Sequence, residues 1–160
     1  MRFIAVAVVA GSLGLAGPAT AATPQEGGLT TPAGVVTWQG ALGTALTPAP
    51  EACLLLACDQ FTLDVALPPD VWSTPGGIQI GIRWPDENQD LDLHVYRPDG
   101  SLAASSVGFP SSSESVLLPG AANGRYRVVV VPSQTTDIAY EGLAEVERDA
   151  PVRRLMPACA

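Results

Sequence analysis

Oxygen-bearing side chains stand at every second position from 86 to 92. They are Asp86, Asn88, Asp90 and Asp92, with Glu87 between the first two. Hard oxygen donors gathered in one loop are the chemistry of a calcium site, because Ca²⁺ takes about six to eight oxygens in flexible geometry. Counted as an EF-hand from Asp86, the first, third and fifth positions fit. The sixth is Leu91 where glycine is required, and the twelfth is Arg97 where a bidentate glutamate closes the sphere. An EF-hand is therefore excluded. What remains is an irregular site at a strand entry, built from Asp86, Glu87, Asn88, Asp90 and Asp92 with backbone carbonyls and water. In a strand Asp90 and Asp92 share a face at about 7 Å separation, so Asp90 with the loop residues makes the better cluster. The alternative is a solvated acidic loop in which one aspartate accepts backbone N–H groups at the turn.

His94 follows on the same strand face as Asp92, and a histidine beside a carboxylate suggests general-base chemistry. A base needs a nucleophile, and the chain has no G-x-S-x-G motif. His94 is the single histidine, so a zinc site would need two or three carboxylates to converge on it. The expectation is a surface histidine and no enzyme. Trp72 and Tyr96 are the aromatic candidates for ligand contact. Trp84 continues the inward phase of its strand and belongs in the core. Arg125 and Arg127 share a strand face and are expected to pair with Asp92 or Glu114. Cys53 and Cys58, in "CLLLAC", lie close enough to close a small disulfide loop. Pairing of Cys159 with either is the alternative.

These residues need strands to place them. "FTLDVAL" alternates, with Phe61, Leu63, Val65 and Leu67 on one side. "GGIQIGIRW" alternates again through Ile78, Ile80, Ile82 and Trp84. "DLDLHVY" turns Leu91, Leu93 and Val95 inward, and "RPDGS" follows as a tight turn. "SLAASS", "SESVLLP", "GRYRVVVVP" and "IAYEGLAEVE" complete the series. "RYRVVVV" is apolar on both faces toward its end, as a central strand is. No stretch combines helical period with caps. The pattern predicts an all-β protein, an antiparallel jelly-roll-like β-sandwich of seven or eight strands over residues 53–147. Residues 22–52 read as a flexible lead-in containing one short strand at Val35–Trp38, and 148–160 as a loose tail.

The chain has 160 residues, of which 47% are hydrophobic and 15% charged, enough to bury a core. Residues 1–21 have the form of a signal peptide: Arg2, an apolar run from Phe3 to Leu15, then Ala19-Thr20-Ala21 as a cleavage site. The apolar run is too short to span a bilayer comfortably, so no membrane insertion is expected after cleavage. Loss of Arg2 takes the net charge from −8 to −9. An acidic surface disfavours nucleic acid and anionic membranes. Export to an oxidising compartment agrees with paired cysteines.

The stretch "WPDENQDLDLHVYRPDGSLAASSVG", with "SESVLLPGAANGRYRVVVVP" and "IAYEG", resembles the bacterial pre-peptidase C-terminal domain. The shared elements fall on Asp90–Leu93, Asp99-Gly100, Leu102–Ser106, Glu114, Gly124–Tyr126 and Tyr140. The resemblance covers about residues 61–146. It implies a jelly-roll-like sandwich on an exported protein, of a kind that accompanies hydrolases, serves secretion or adhesion, and in some cases binds calcium. The expected function is a secreted, extracellular, non-catalytic module for binding or adhesion to a protein or polysaccharide, with calcium as a structural aid. An accessory domain that assists secretion or maturation of a separate hydrolase is the alternative, and a small secreted hydrolase the least favoured.

Overall fold

Two five-stranded sheets pack face to face in the computed structural model, which describes residues 20–44, 53, 58–73 and 75–148. The leader up to residue 19, the tail from 149 and Cys159 lie outside the described residues. The strands are β1 (Thr20–Thr23), β2 (Glu26–Leu29), β3 (Val35–Leu42), β4 (Asp59–Val65), β5 (Gly76–Arg83), β6 (Asp90–Tyr96), β7 (Leu102–Ser106), β8 (Ser113–Pro119), β9 (Gly124–Gln134) and β10 (Ile138–Arg148). Sheet A runs β1-β3-β10-β5-β8 and sheet B runs β2-β4-β9-β6-β7.

The alternating segments become strands in the expected phase. Phe61, Leu63, Val65, Ile78, Ile80, Ile82, Trp84, Leu91, Leu93 and Val95 are all buried between the sheets. Strand β9 is central in sheet B, and Val128 to Val131 are buried on both of its faces. The Asp99-Gly100 turn forms as its residues demand. Gly100 adopts a positive φ of 85°, and Asp99 accepts the Ser101 N–H at 2.9 Å and its hydroxyl at 2.7 Å. Those two donors hold the Asp99 carboxyl below its ordinary range.

The sandwich starts earlier than the sequence suggests. The lead-in assigned to residues 22–52 holds β2, β3 and the second half of β1 rather than one short strand, and Thr20 and Ala21, assigned to the leader, form the first half of β1. Val35–Trp38 is half of an eight-residue strand, and Ala22, Leu29, Trp38 and Leu42 are buried core. The two added strands, β1 and β2, are four-residue edges with little alternation, which hides them from a periodicity test. Ten strands therefore replace the expected seven or eight. One pairing, β2 with β4, is parallel, while every other pairing is antiparallel.

Trp38 of β3 and Phe61 of β4 join the two layers. Their rings stack with centroids 4.1 Å apart and planes within 5°. Close packing around Trp38 dictates a glycine on the neighbouring strand: a Cβ at Gly142 would overlap the indole ring. A second cross-strand glycine, Gly40, lies beside Asp59 and Tyr140, and a Cβ there would overlap both.

Candidate functional site

Asp59 is in phase with Phe61, Leu63 and Val65, so its carboxylate points into the sandwich and is buried. Three donors meet it. The Ala22 N–H and the Gln60 N–H each donate to Oδ1 at 2.7 Å, and the Tyr140 hydroxyl donates to Oδ2 at 2.7 Å. All three donors are neutral. Burial raises the Asp59 carboxyl above its ordinary range, against the lowering effect of these hydrogen bonds. Tyr140 is likewise raised, first by burial and then by the Asp59 charge. The cluster ties β4 of sheet B to β1 and β10 of sheet A, and Cys58, disulfide-bonded to Cys53, sits directly before it. The signal for it in the sequence is the parity of Asp59 with its apolar neighbours Phe61, Leu63 and Val65.

The acidic loop closes on itself. Asp86 Oδ1 accepts the Asn88 N–H and the Asn88 side-chain amide, each at 3.0 Å, and Oδ2 accepts the Gln89 side-chain amide at 3.4 Å. These donors hold the Asp86 carboxyl below its ordinary range. The Trp84 indole N–H donates to the Gln89 carbonyl at 2.9 Å, and Gln89 Oε1 accepts the Thr136 N–H at 2.8 Å. Asp90 opens β6 at an irregularity where β9 carries an extra residue, Ser133, and it stays in phase with Asp92. Among the described residues, no three His, Cys, Asp or Glu side chains gather as metal ligands. Asp86 thus directs its carboxylate to the turn itself, while Asp90 Oδ1 is buried at the entry to β6.

Asp92 is half-buried, and its carboxyl is pushed up to about 6, first by burial and then by the charges of Asp90 and Glu114. The folded state therefore holds this proton more tightly than the unfolded chain. Its contribution is fully present below about pH 4 and is lost as pH rises through about 6. Asp92→Asn is expected to raise stability at pH 7 by about 1 kcal/mol, a figure discounted for solvent screening, and to flatten the loss between pH 4 and pH 6. Urea titrations at pH 4 and pH 7 test this. Equal pH dependence in both proteins would count against it.

His94 is buried rather than on the surface. Its cross-strand partner Val129, and Val131 beside Asp92, are buried on the same face. Alternation placed His94 outward correctly, but the outward face is covered there. Trp72, on a 3₁₀ turn at Val71–Ser73, is half-buried against the core and donates to the Ala121 carbonyl at 3.0 Å. Tyr96 is half-buried beneath the Arg127 guanidinium, 4.4 Å from the ring centroid. Arg125 pairs with Glu26 and Asp64, each at 3.1 Å, not with Asp92 or Glu114. Register decides this: Asp64 is directly opposite Arg125, and Tyr96 directly opposite Arg127. Glu114 belongs to the other sheet and faces inward, accepting the Ser106 hydroxyl.

The outer face of sheet A carries two aligned rows that the sequence did not reveal. One row crosses four strands as Gln39, Glu141, Arg83 and Ser113. The next is Thr37, Leu143, Gly81 and Ser115. They line two adjoining depressions of about 620 and 630 Å³. Arg83 bonds Glu141 through Nε at 2.8 Å and Nη2 at 2.5 Å, with both side chains exposed. An ion pair so exposed contributes under about 1 kcal/mol, so it can be exchanged for ligand contacts.

No protein-family model matches the chain, and no curated protein matches it. Among solved structures it is similar to the pre-peptidase C-terminal domain of collagenase from Bacillus anthracis. That match has a TM-score of 0.44 and 14% identity, and covers 76% of this chain and 93% of that one. It is also similar to a periplasmic inhibitor of g-type lysozyme from Aeromonas hydrophila. There the TM-score is 0.39 and the identity 13%, over 76% of this chain and 98% of that one. At these identities the likeness is one of fold.

Proposed function

We propose that this chain is an exported, non-catalytic β-sandwich that binds an extended segment of an extracellular protein along the outer face of sheet A. The observation that carries the reading is the pair of cross-strand rows. Four strands at about 4.8 Å spacing give a track of about 14 Å, the length of about four extended residues. Gln39, Thr37, Ser113 and Ser115 offer amide and hydroxyl groups suited to peptide backbone, the Arg83–Glu141 pair offers both charges, and Gly81 leaves a notch in the floor. A protein segment is favoured over a polysaccharide because sugar rings stack on exposed aromatics. Neither row carries an aromatic, all three Trp and all three Tyr side chains are buried or half-buried, and Phe109, which is exposed, lies outside the rows. The Cys53–Cys58 disulfide supports an oxidising compartment.

A Cβ at Gly81 meets its nearest atoms at 3.4 and 3.5 Å, so a side chain can be added there with little disturbance of the fold. Gly81→Tyr fills the notch. The mature protein is expected to be retained on immobilised gelatin, an extended protein polymer, and not on chitin or peptidoglycan. Gly81→Tyr is expected to weaken retention at least about tenfold with an unchanged melting temperature. Retention on chitin or peptidoglycan alone, or equal retention of the variant, would refute the assignment.

A further inference from the structure

The Ala22 nitrogen is the atom that cleavage of the leader would set free. The sequence places the scissile bond after Ala21, on the small residues Ala19 and Ala21. Independently, the fold places the nitrogen of Ala22 2.7 Å from a carboxylate oxygen of buried Asp59. We propose that removal of the leader after Ala21 creates an α-ammonium group at Ala22 that forms a buried ion pair with Asp59, so that processing completes the interior of the sandwich. This shares with the proposed function only the export of the chain, and it stands whether or not the groove binds protein.

The chemistry balances simply. A signal peptidase adds water across the Ala21–Ala22 peptide bond. The new carboxylate leaves with the leader, and the Ala22 amine takes up a proton. A buried carboxylate met by three neutral donors then gains a cation, and a buried charge without a countercharge is costly.

Local structure allows the cut. The register of β1 against β3 runs from Thr20 opposite Ala41 to Thr23 opposite Gln39, with an irregularity between them. Ala22 lies in that irregularity and directs its N–H to Asp59. Cleavage therefore removes Thr20 and Ala21 without taking the Thr23–Gln39 pairing. Ala22 is only 1% exposed, so the bond is out of reach in the folded protein. Cleavage must precede folding, as it does during export of an unfolded chain. Pro24 and the start of β2 follow within four residues, which limits how far the new terminus can swing.

Export of the full chain from a bacterial host, followed by N-terminal sequencing, tests the position. The released protein is expected to begin Ala22-Thr23-Pro24. Labelling with an amine-reactive reagent at pH 8 tests the ion pair, and the absence of lysine makes the α-amino group the single reactive amine. The folded product is expected to label at least about tenfold more slowly than the same protein retaining Ala21, because an ion-paired amine holds its proton. Asp59→Asn is expected to restore fast labelling. If that variant does not fold, the comparison with the Ala21-retaining protein decides alone. A released protein beginning elsewhere, or an Ala22 amine labelled as fast as the longer one, overturns the proposal.

Discussion

Trp38→Ala is expected to lower the unfolding free energy by about 4 kcal/mol, the range for deleting a large buried aromatic. Trp38 is 2% exposed and carries the stack that joins the sheets. Gly142→Ala is expected to cost about 2–3 kcal/mol for the opposite reason, since the added methyl overlaps the indole. The two effects are not independent. With Trp38 already replaced, the space beside Gly142 opens, and Gly142→Ala should become nearly neutral, a coupling of about 2 kcal/mol. Urea denaturation of the two single variants and the double variant measures it. An equal cost for Gly142→Ala in both backgrounds would show that the indole is not what demands glycine there.

Asp59→Ala is expected to cost about 3 kcal/mol, because three buried or half-buried donors then lack an acceptor: the Ala22 and Gln60 nitrogens and the Tyr140 hydroxyl. Tyr140→Phe should cost less, about 2 kcal/mol, since it removes one donor and leaves Oδ1 fully engaged. The ordering is the informative part. Thermal and urea unfolding of both variants, with circular dichroism to check the fold, gives it directly. A loss under about 1 kcal/mol for Asp59→Ala would mean that water reaches the donors and that the cluster is not sealed.

Eight of the ten strands were legible, β3 only in its first half, because alternation survives wherever one face is buried and the other wet. Phe61, Leu63 and Val65 in β4 show it, as do Ile78, Ile80 and Ile82 in β5. The Asp99-Gly100 turn and the Cys53–Cys58 pair were legible because both depend on local geometry. Three features were not. Strand β2, "EGGL", has one apolar anchor, Leu29, and its Gly27 is small because Val36 and Phe61 leave no room for a side chain. Periodicity cannot register a contact made by another strand. His94 sits where the outer face is itself buried, and alternation says which face a residue takes, not what covers that face. The rows on sheet A depend on register among β3, β10, β5 and β8, which are scattered between residues 35 and 148. In the acidic loop, the order of Asn88 and Gln89 after Asp86 makes a hydrogen-bonded turn that composition alone does not show.

The segment from Thr20 to Leu29 gives one strand to the edge of each sheet: β1 borders sheet A and β2 borders sheet B. The opposite borders, β8 and β7, are also consecutive in the chain. Each flank of the sandwich is therefore closed by a pair of strands that crosses from one layer to the other. Unpaired strand borders are where proteins exchange segments or grow into fibrils. Here the N-terminal pair shields β3 and β4 together, so a chain that lost it would present two adhesive borders at once. Such a chain would be open to strand swapping with a second copy, and the part of this segment that remains after processing, Ala22 to Leu29, acts as its guard against self-association.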